Sequence, residues 1–167
     1  MSIAPRKSNR SDAGSTPPFR SVAFMLSTLG YAVSRRFHDV LVPLDLEPSE
    51  FAVLRAVGFN EGASQHALAE RLHISASHMV AIVDELEKRS LLERRPDPDD
   101  RRVRSLYLTS SGKELLAQAF ELAKEFEKVV SKPLSATEKT QLLAVLDRIA
   151  EALELQPGAH AALRDER

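Results

Sequence analysis

Between Ser64 and Leu108 the spacing of apolar residues changes once, from helical to alternating, and few architectures accommodate that change. Ser64 is placed to cap a helix running through Leu72, with Ala67, Leu68 and Leu72 turned inward. His73-Ile74 leaves room only for a tight turn. Ser75 then caps a second helix to about Arg89, whose core face is Met79, Ile82, Val83 and Leu86. Beyond it, Leu91-Leu92-Glu93-Arg94-Arg95 reads as a strand, and Val103 to Leu108 alternates as the strand returning beside it. Pro96-Asp97-Pro98-Asp99-Asp100 fits no regular element and supplies the turn between them.

The flanks are helical. From Phe19 to Leu41, Val22, Met25, Leu26, Leu29, Val33, Phe37, Val40 and Leu41 recur at three- and four-residue steps, Gly30 is a mild interruption and Pro43 a stop. Pro48 suits the first position of a short helix to Phe59, although Glu47 before it is a poor cap. Ser111 with Glu114 fits a capping box opening a helix to about Ser131, and Pro133 ends it. Ser135 with Glu138 is a second box, opening a last helix through about Leu155. Residues 1–18 are polar and are expected to form a disordered arm, and residues 156–167 a flexible tail.

Composition narrows the function. A chain of 167 residues suits one compact core, and with aromatics at 5% and no Trp that core must be aliphatic, as in helices packed on helices. The absence of Cys excludes thiol redox chemistry, disulfides and thiolate-bound zinc. His66, His73 and His78 make no convincing metal pair, no cofactor motif is present, and no Gly-rich phosphate loop or nucleophile–base pair suggests an enzyme. No apolar run reaches the ~20 residues of a membrane helix and no signal peptide is visible, so cytoplasm is the expected location. Net charge is −1, yet Lys88 to Arg104 holds seven bases against four acids, a local excess that suits a polyanion.

Helix, tight turn, helix and basic hairpin compose a winged helix-turn-helix, here mainly α with a small β-hairpin wing. A helix fits the major groove, and Ser75, Ser77, His78 and Ala81 stand at or near the start of the one that would enter it. Arg94, Arg101 and Arg102 put cations on the wing, where a tip arginine can enter a narrow minor groove. The terminal helices carry more Leu and Val than one small domain can cover, which predicts a dimer interface including Phe19, Val22, Met25, Leu142, Leu146 and Ile149. Residues 19–45 and 110–155 form the helical dimerisation region, and 46–109 the DNA-binding domain. A crevice between the two lobes would be lined by Phe37, His38 and Phe51.

The run from Leu91 to Arg102, followed by Leu106-Tyr107-Leu108-Thr109 and Gly112, resembles the wing signature of the multiple antibiotic resistance regulator (MarR) family. Leu68-Ala69-Glu70-Arg71-Leu72, Ile74-Ser75 and Val83-Asp84-Glu85-Leu86-Glu87 extend the resemblance, which covers roughly residues 19 to 155. It implies a homodimer on a pseudo-palindromic double-stranded operator, with Arg102 in the minor groove, Arg101 on neighbouring phosphates and Asp100 bracing the wing. It further implies a repressor released by a small aromatic or amphipathic effector. Ala76 and Ala81 stand where relatives often carry Arg or Lys, which shifts base reading toward shape and thymine methyls. Ser90 replaces a frequent Gly at a helix end. The competing reading is a protein-interaction adaptor that keeps the winged fold without binding DNA.

Overall fold

The computed structural model describes residues 21–96 and 104–155. The expectations for residues 1–18, Phe19, Asp100, Arg101, Arg102 and residues 156–167 lie outside these residues.

Side-chain caps start most of the helices. Ser21 accepts from the Phe24 N–H at 3.1 Å and opens α1 (Val22–Leu41). Helix α1 ends at Leu41, before Pro43, as the sequence leads one to expect, and Pro43 enters the next turn because proline tolerates the first turn of a helix. Val42–Leu44 forms a 3₁₀ turn, closed by Asp45 in the left-handed region at φ 49°. Glu47 is a better cap for α2 (Pro48–Phe59) than its residue type suggests: its N–H donates to Glu50 Oε2 at 2.9 Å and its own carboxylate completes a capping box.

Ser64 opens α3 (Gln65–Leu72) by accepting from the Ala67 N–H at 3.1 Å. Leu68, Ala69 and Leu72 are its buried residues and share one arc of the helix; Ala67, expected inside, is exposed because it falls on the side away from that arc. His73 closes the tight turn with φ 53°. Ser75 then caps α4 (Ala76–Lys88) by accepting from the His78 N–H at 3.2 Å, and Met79, Ile82, Val83 and Leu86 are buried as the periodicity predicts. Ser90 adopts φ 56°, so the left-handed turn expected there forms without glycine.

Strands β1 (Leu92–Pro96) and β2 (Arg104–Leu108) pair antiparallel, with Leu92 opposite Leu108 and Arg94 opposite Leu106. Pro96, assigned to the turn from sequence, is the last paired residue, opposite Arg104; proline is tolerated at the end of such a ribbon. Main-chain bonds from Gly62 N–H to Leu106 O and from Leu106 N–H to Ala63 O, at 2.9 and 3.0 Å, tie the hairpin to the entry of α3.

The next helix, α5 (Ser110–Ser131), is capped two residues before Ser111 of the expected Ser111–Glu114 box. Thr109 is the cap because its hydroxyl makes two contacts, accepting from the Gly112 N–H at 3.0 Å and donating to Ser90 O at 2.7 Å. This seats α5 so close to the chain before β1 that a Cβ on Gly112 would lie 1.8 Å from the Leu91 carbonyl oxygen. The Ser135–Glu138 box does open α6 (Ala136–Ala152), with Ser135 N–H donating to Glu138 Oε2 at 2.8 Å. Hydrogen bonds from the Ser135 hydroxyl and N–H hold the Glu138 carboxyl below its usual range.

The core lies between α2, α3, α4, the hairpin and the start of α5, around fully buried Leu54, Leu68, Met79, Leu86, Leu92 and Leu106. Helix α1 buries only Leu41, and α6 buries none of its residues.

Candidate nucleic-acid interface

Ser75, Ala76, Ser77, Val80, Ala81 and Asp84 are exposed along one side of α4, opposite its core face. The Ser75 and Ser77 hydroxyls lie 3.1 Å apart at the helix N-terminus, where the backbone N–H groups and the helix dipole favour an anion. His78 is half-buried beside them. The sequence-predicted residues Ser75, Ser77, His78 and Ala81 therefore share the first turns of one helix.

Arg94 is placed differently from the expected DNA-facing cation. Its guanidinium reaches back from β1 to α4, pairing with Asp84 at 2.5 Å and with Glu87, while its Nε donates to Gln65 Oε1 of α3 at 3.1 Å. The Arg94 N–H also donates to Glu87 Oε1 at 3.1 Å. One side chain thus fastens the root of the hairpin to both helices of the helix-turn-helix. Farther along β1, Arg95 lies over the Tyr107 ring at 4.5 Å and pairs with Glu93. That hydrogen bond raises the already high guanidinium pKa.

The far end of α4 is fastened as well. Arg89 Nη1 donates to both oxygens of the buried Glu50 carboxylate, at 3.2 and 3.1 Å, and Nη2 donates to Asp45 O at 2.6 Å. Helix α4 is thereby joined to the elbow that follows α1. His38 belongs to this elbow, with Nδ1 3.3 Å from Glu47. It does not line the same crevice as Phe37 and Phe51, because it lies on the Glu47 and Arg89 side of the elbow.

Phe37 and Phe51 do come together. With Phe120 and Phe126 of α5 they wall an open crevice of about 410 Å³ between α1, α2 and α5, with Arg55 and Glu127 at its margin. The rings pack edge-on: Phe37 and Phe51 have centroids 5.6 Å apart, and Phe51 and Phe120 5.7 Å. Sequence reading missed Phe120, Phe126 and Arg55, which look like ordinary helix residues until α5 folds back on α2. It also missed the partners Asp84, Glu87, Glu50 and Arg89. The sequence signal for Glu50 is no more than an acid immediately before the apolar run Phe51–Leu54.

The terminal helices present apolar faces to solvent. Val22 is 67% exposed and Leu153 63%, with Leu29, Val129, Leu142, Leu143 and Val145 also exposed. Met25 belongs to this group, while Leu146 and Ile149 are half-buried.

The model of the MarR family matches residues 44–103. The HTH-type transcriptional regulator PecS of Dickeya dadantii (strain 3937) is 31% identical over 131 residues, covering 77% of this chain and 79% of PecS. Among solved structures, the transcriptional repressor CouR bound to a 23-mer DNA duplex superposes with a TM-score of 0.73 at 33% identity, covering 78% of this chain and 92% of CouR. CouR from Rhodococcus jostii RHA1 bound to p-coumaroyl-CoA superposes with a TM-score of 0.69 at 30% identity, over the same shares of the two chains.

Proposed function

The chain belongs to the MarR family, and from that premise we propose that it is a homodimeric, sequence-specific DNA-binding transcription regulator, a repressor relieved by a small effector. The observation that carries this reading is the joint placement of α4 and the wing. A serine-capped helix with an open face stands beside a hairpin whose root Arg94 fastens to it, so the two would meet DNA as one rigid surface. CouR, similar in sequence and fold, is solved on a DNA duplex.

Ser75, Ser77, His78 and Ala81 approach the major groove in this reading, and Arg101 and Arg102 reach phosphates and the minor groove. Arg94 is a positioning residue: it holds the wing rather than the DNA. Residues 46–109 are the DNA-binding domain, while 19–45 and 110–155 form the dimerisation region. The exposed faces of α1 and α6 are covered by the second copy, through Phe19, Val22, Met25, Leu142, Leu146 and Ile149. A two-fold axis then sets the recognition helices one helical turn of DNA apart, roughly 34 Å. The protein acts in the cytoplasm and carries out no covalent chemistry.

The aromatic crevice between α1, α2 and α5 takes the effector. It adjoins both lobes, so a ligand that binds one lobe spacing better than the other shifts the population between them. A small aromatic or amphipathic molecule suits walls of Phe37, Phe51, Phe120 and Phe126.

Selection of duplexes from a random library, followed by titration at two salt concentrations, tests the reading. A pseudo-palindromic site whose affinity falls steeply with salt is expected, since each phosphate contact adds about −0.9 to the slope of log K against log salt. Arg102→Ala should weaken operator and random duplexes alike and flatten that slope by about one unit. A chain that enriches no duplex and shows no salt slope is the adaptor. The absence of Lys and Arg from Ala76 to Glu87 is the observation on that side.

A further inference from the structure

We propose that α4 reads thymine by its C5-methyl group, with Val80 as the principal specificity-determining residue and Ala76 one turn before it. The inference rests on the DNA-binding reading above and deepens it.

Val80 is 41% exposed and is the one large hydrophobic residue on the outer face of α4 among the described residues. The core has no use for it, because Met79, Ile82, Val83 and Leu86 already fill the inner face. Ala76 and Ala81 flank it on the same exposed side, Ala76 by four residues and so directly above it along the helix. Together they make a short aliphatic stripe, about 6 Å from Ala76 to Val80, comparable with one to two base steps.

The electrostatics of the helix agree with this assignment. No Lys or Arg occurs from Ala76 to Glu87, and Lys88 lies in the last turn of α4, so the exposed first turns offer no guanidinium or ammonium for guanine O6 and N7, the commonest specific contact in the major groove. Its acids are paired too: Asp84 and Glu87 with Arg94, and Glu85 with Lys88 at 3.5 Å. The outer face is therefore close to neutral, able to approach the bases without strong repulsion but without ionic base contacts of its own. The feature of a base edge that an aliphatic group recognises is the thymine methyl. Ser77 adds a hydroxyl that suits either a donor or an acceptor beside it.

The test uses the full-length chain and the best duplex from a random-library selection. Each thymine of a half-site is replaced in turn by deoxyuridine, which removes the methyl and leaves every hydrogen-bonding group in place. At one or more positions, affinity should fall about fourfold per methyl. Val80→Ala should bind the thymine duplex more weakly by a similar factor and become indifferent to deoxyuridine at that position. Its unfolding temperature, read on the same sample, should stay within a few degrees of the parent, as the side chain is partly exposed. Equal affinity of the unmodified chain for thymine and deoxyuridine duplexes overturns the proposal, as does full discrimination retained by Val80→Ala, or selected half-sites without thymine. Failure to select any duplex removes the DNA-binding reading itself, an outcome distinct from these.

Discussion

The segment from Leu46 to Leu108 and the helices on either side of it treat apolar residues in opposite ways. Among the described residues of the segment, large aliphatic and aromatic side chains are buried or half-buried, except Phe59 and Val80. On α1, the far half of α5 and α6, residues such as Val22, Leu29, Val129, Leu143 and Val145 lie open to solvent. The two regions do not differ in how well their helices are started, since Ser21 and Ser135 cap α1 and α6 as Ser64 and Ser75 cap α3 and α4. Local signals alone therefore do not make a covered core. Covering a single Leu or Val is worth about 1.5–3 kcal/mol, so the terminal helices leave a large stabilisation unrealised until a second surface meets them.

That contrast can be attacked first at assembly. Leu146→Asp should convert the dimer to a monomer at micromolar concentration, because an ionised carboxylate in an apolar seam costs several kcal/mol. The same variant should leave the segment from Leu46 to Leu108 folded. Sedimentation and circular dichroism check both halves, and a dimer that persists would mean the exposed face of α6 is not its seam.

The opposite attack is on the folded segment. Arg89→Ala strands the buried Glu50 carboxylate and should destabilise the domain by about 3–5 kcal/mol, lowering the unfolding temperature without changing which surfaces associate. Replacing both partners, as Glu50→Gln with Arg89→Met, should recover part of that loss, since a matched removal leaves no isolated charge.

At the junction between the regions, Gly112→Ala places a methyl against the Leu91 carbonyl and should cost about 1–3 kcal/mol, forcing α5 away from the hairpin. A thermal melt measures the loss, and an unchanged melting temperature would show that the junction yields freely. The smallest effect is at the α6 cap. The Glu138 carboxyl is held below its usual range by Ser135, so its contribution is present above the ordinary glutamate pKa and is lost as pH falls through the depressed folded value. The Ser135 amide resonance should report that transition, and Glu138→Gln should abolish it.

Much of the winged segment was legible in the chain. Ser64 and Ser75 announce their helices because a hydroxyl followed by helix-forming residues satisfies an otherwise orphan N–H, a purely local matter. The buried face of α4 follows from a 3.6-residue period that no other element alters. Reading failed where a distant partner decides the outcome. Arg94 looks like a DNA contact at the root of the wing, but Asp84 and Glu87 of the preceding helix claim it once β1 turns back along α4. His38 is adjacent to Phe37 in the chain, yet successive helical residues point about 100° apart, and Glu47 draws His38 to the elbow while Phe37 joins the aromatic crevice. The cap of α5 went to Thr109 rather than Ser111 because Thr109 also reaches Ser90, across the whole hairpin.

Order along the chain was thus enough to specify which residues form helices, where the hairpin lies and that two classes of surface exist, because caps, turns and periodicity act over a few residues. Packing alone chose the partners: it gave Arg94 to α4, buried Glu50 against Arg89, gathered four phenylalanines into one crevice and left Val80 outside. Coulombic pairing and exclusion of water depend on distances through space, and those exist only once helices separated in sequence have met.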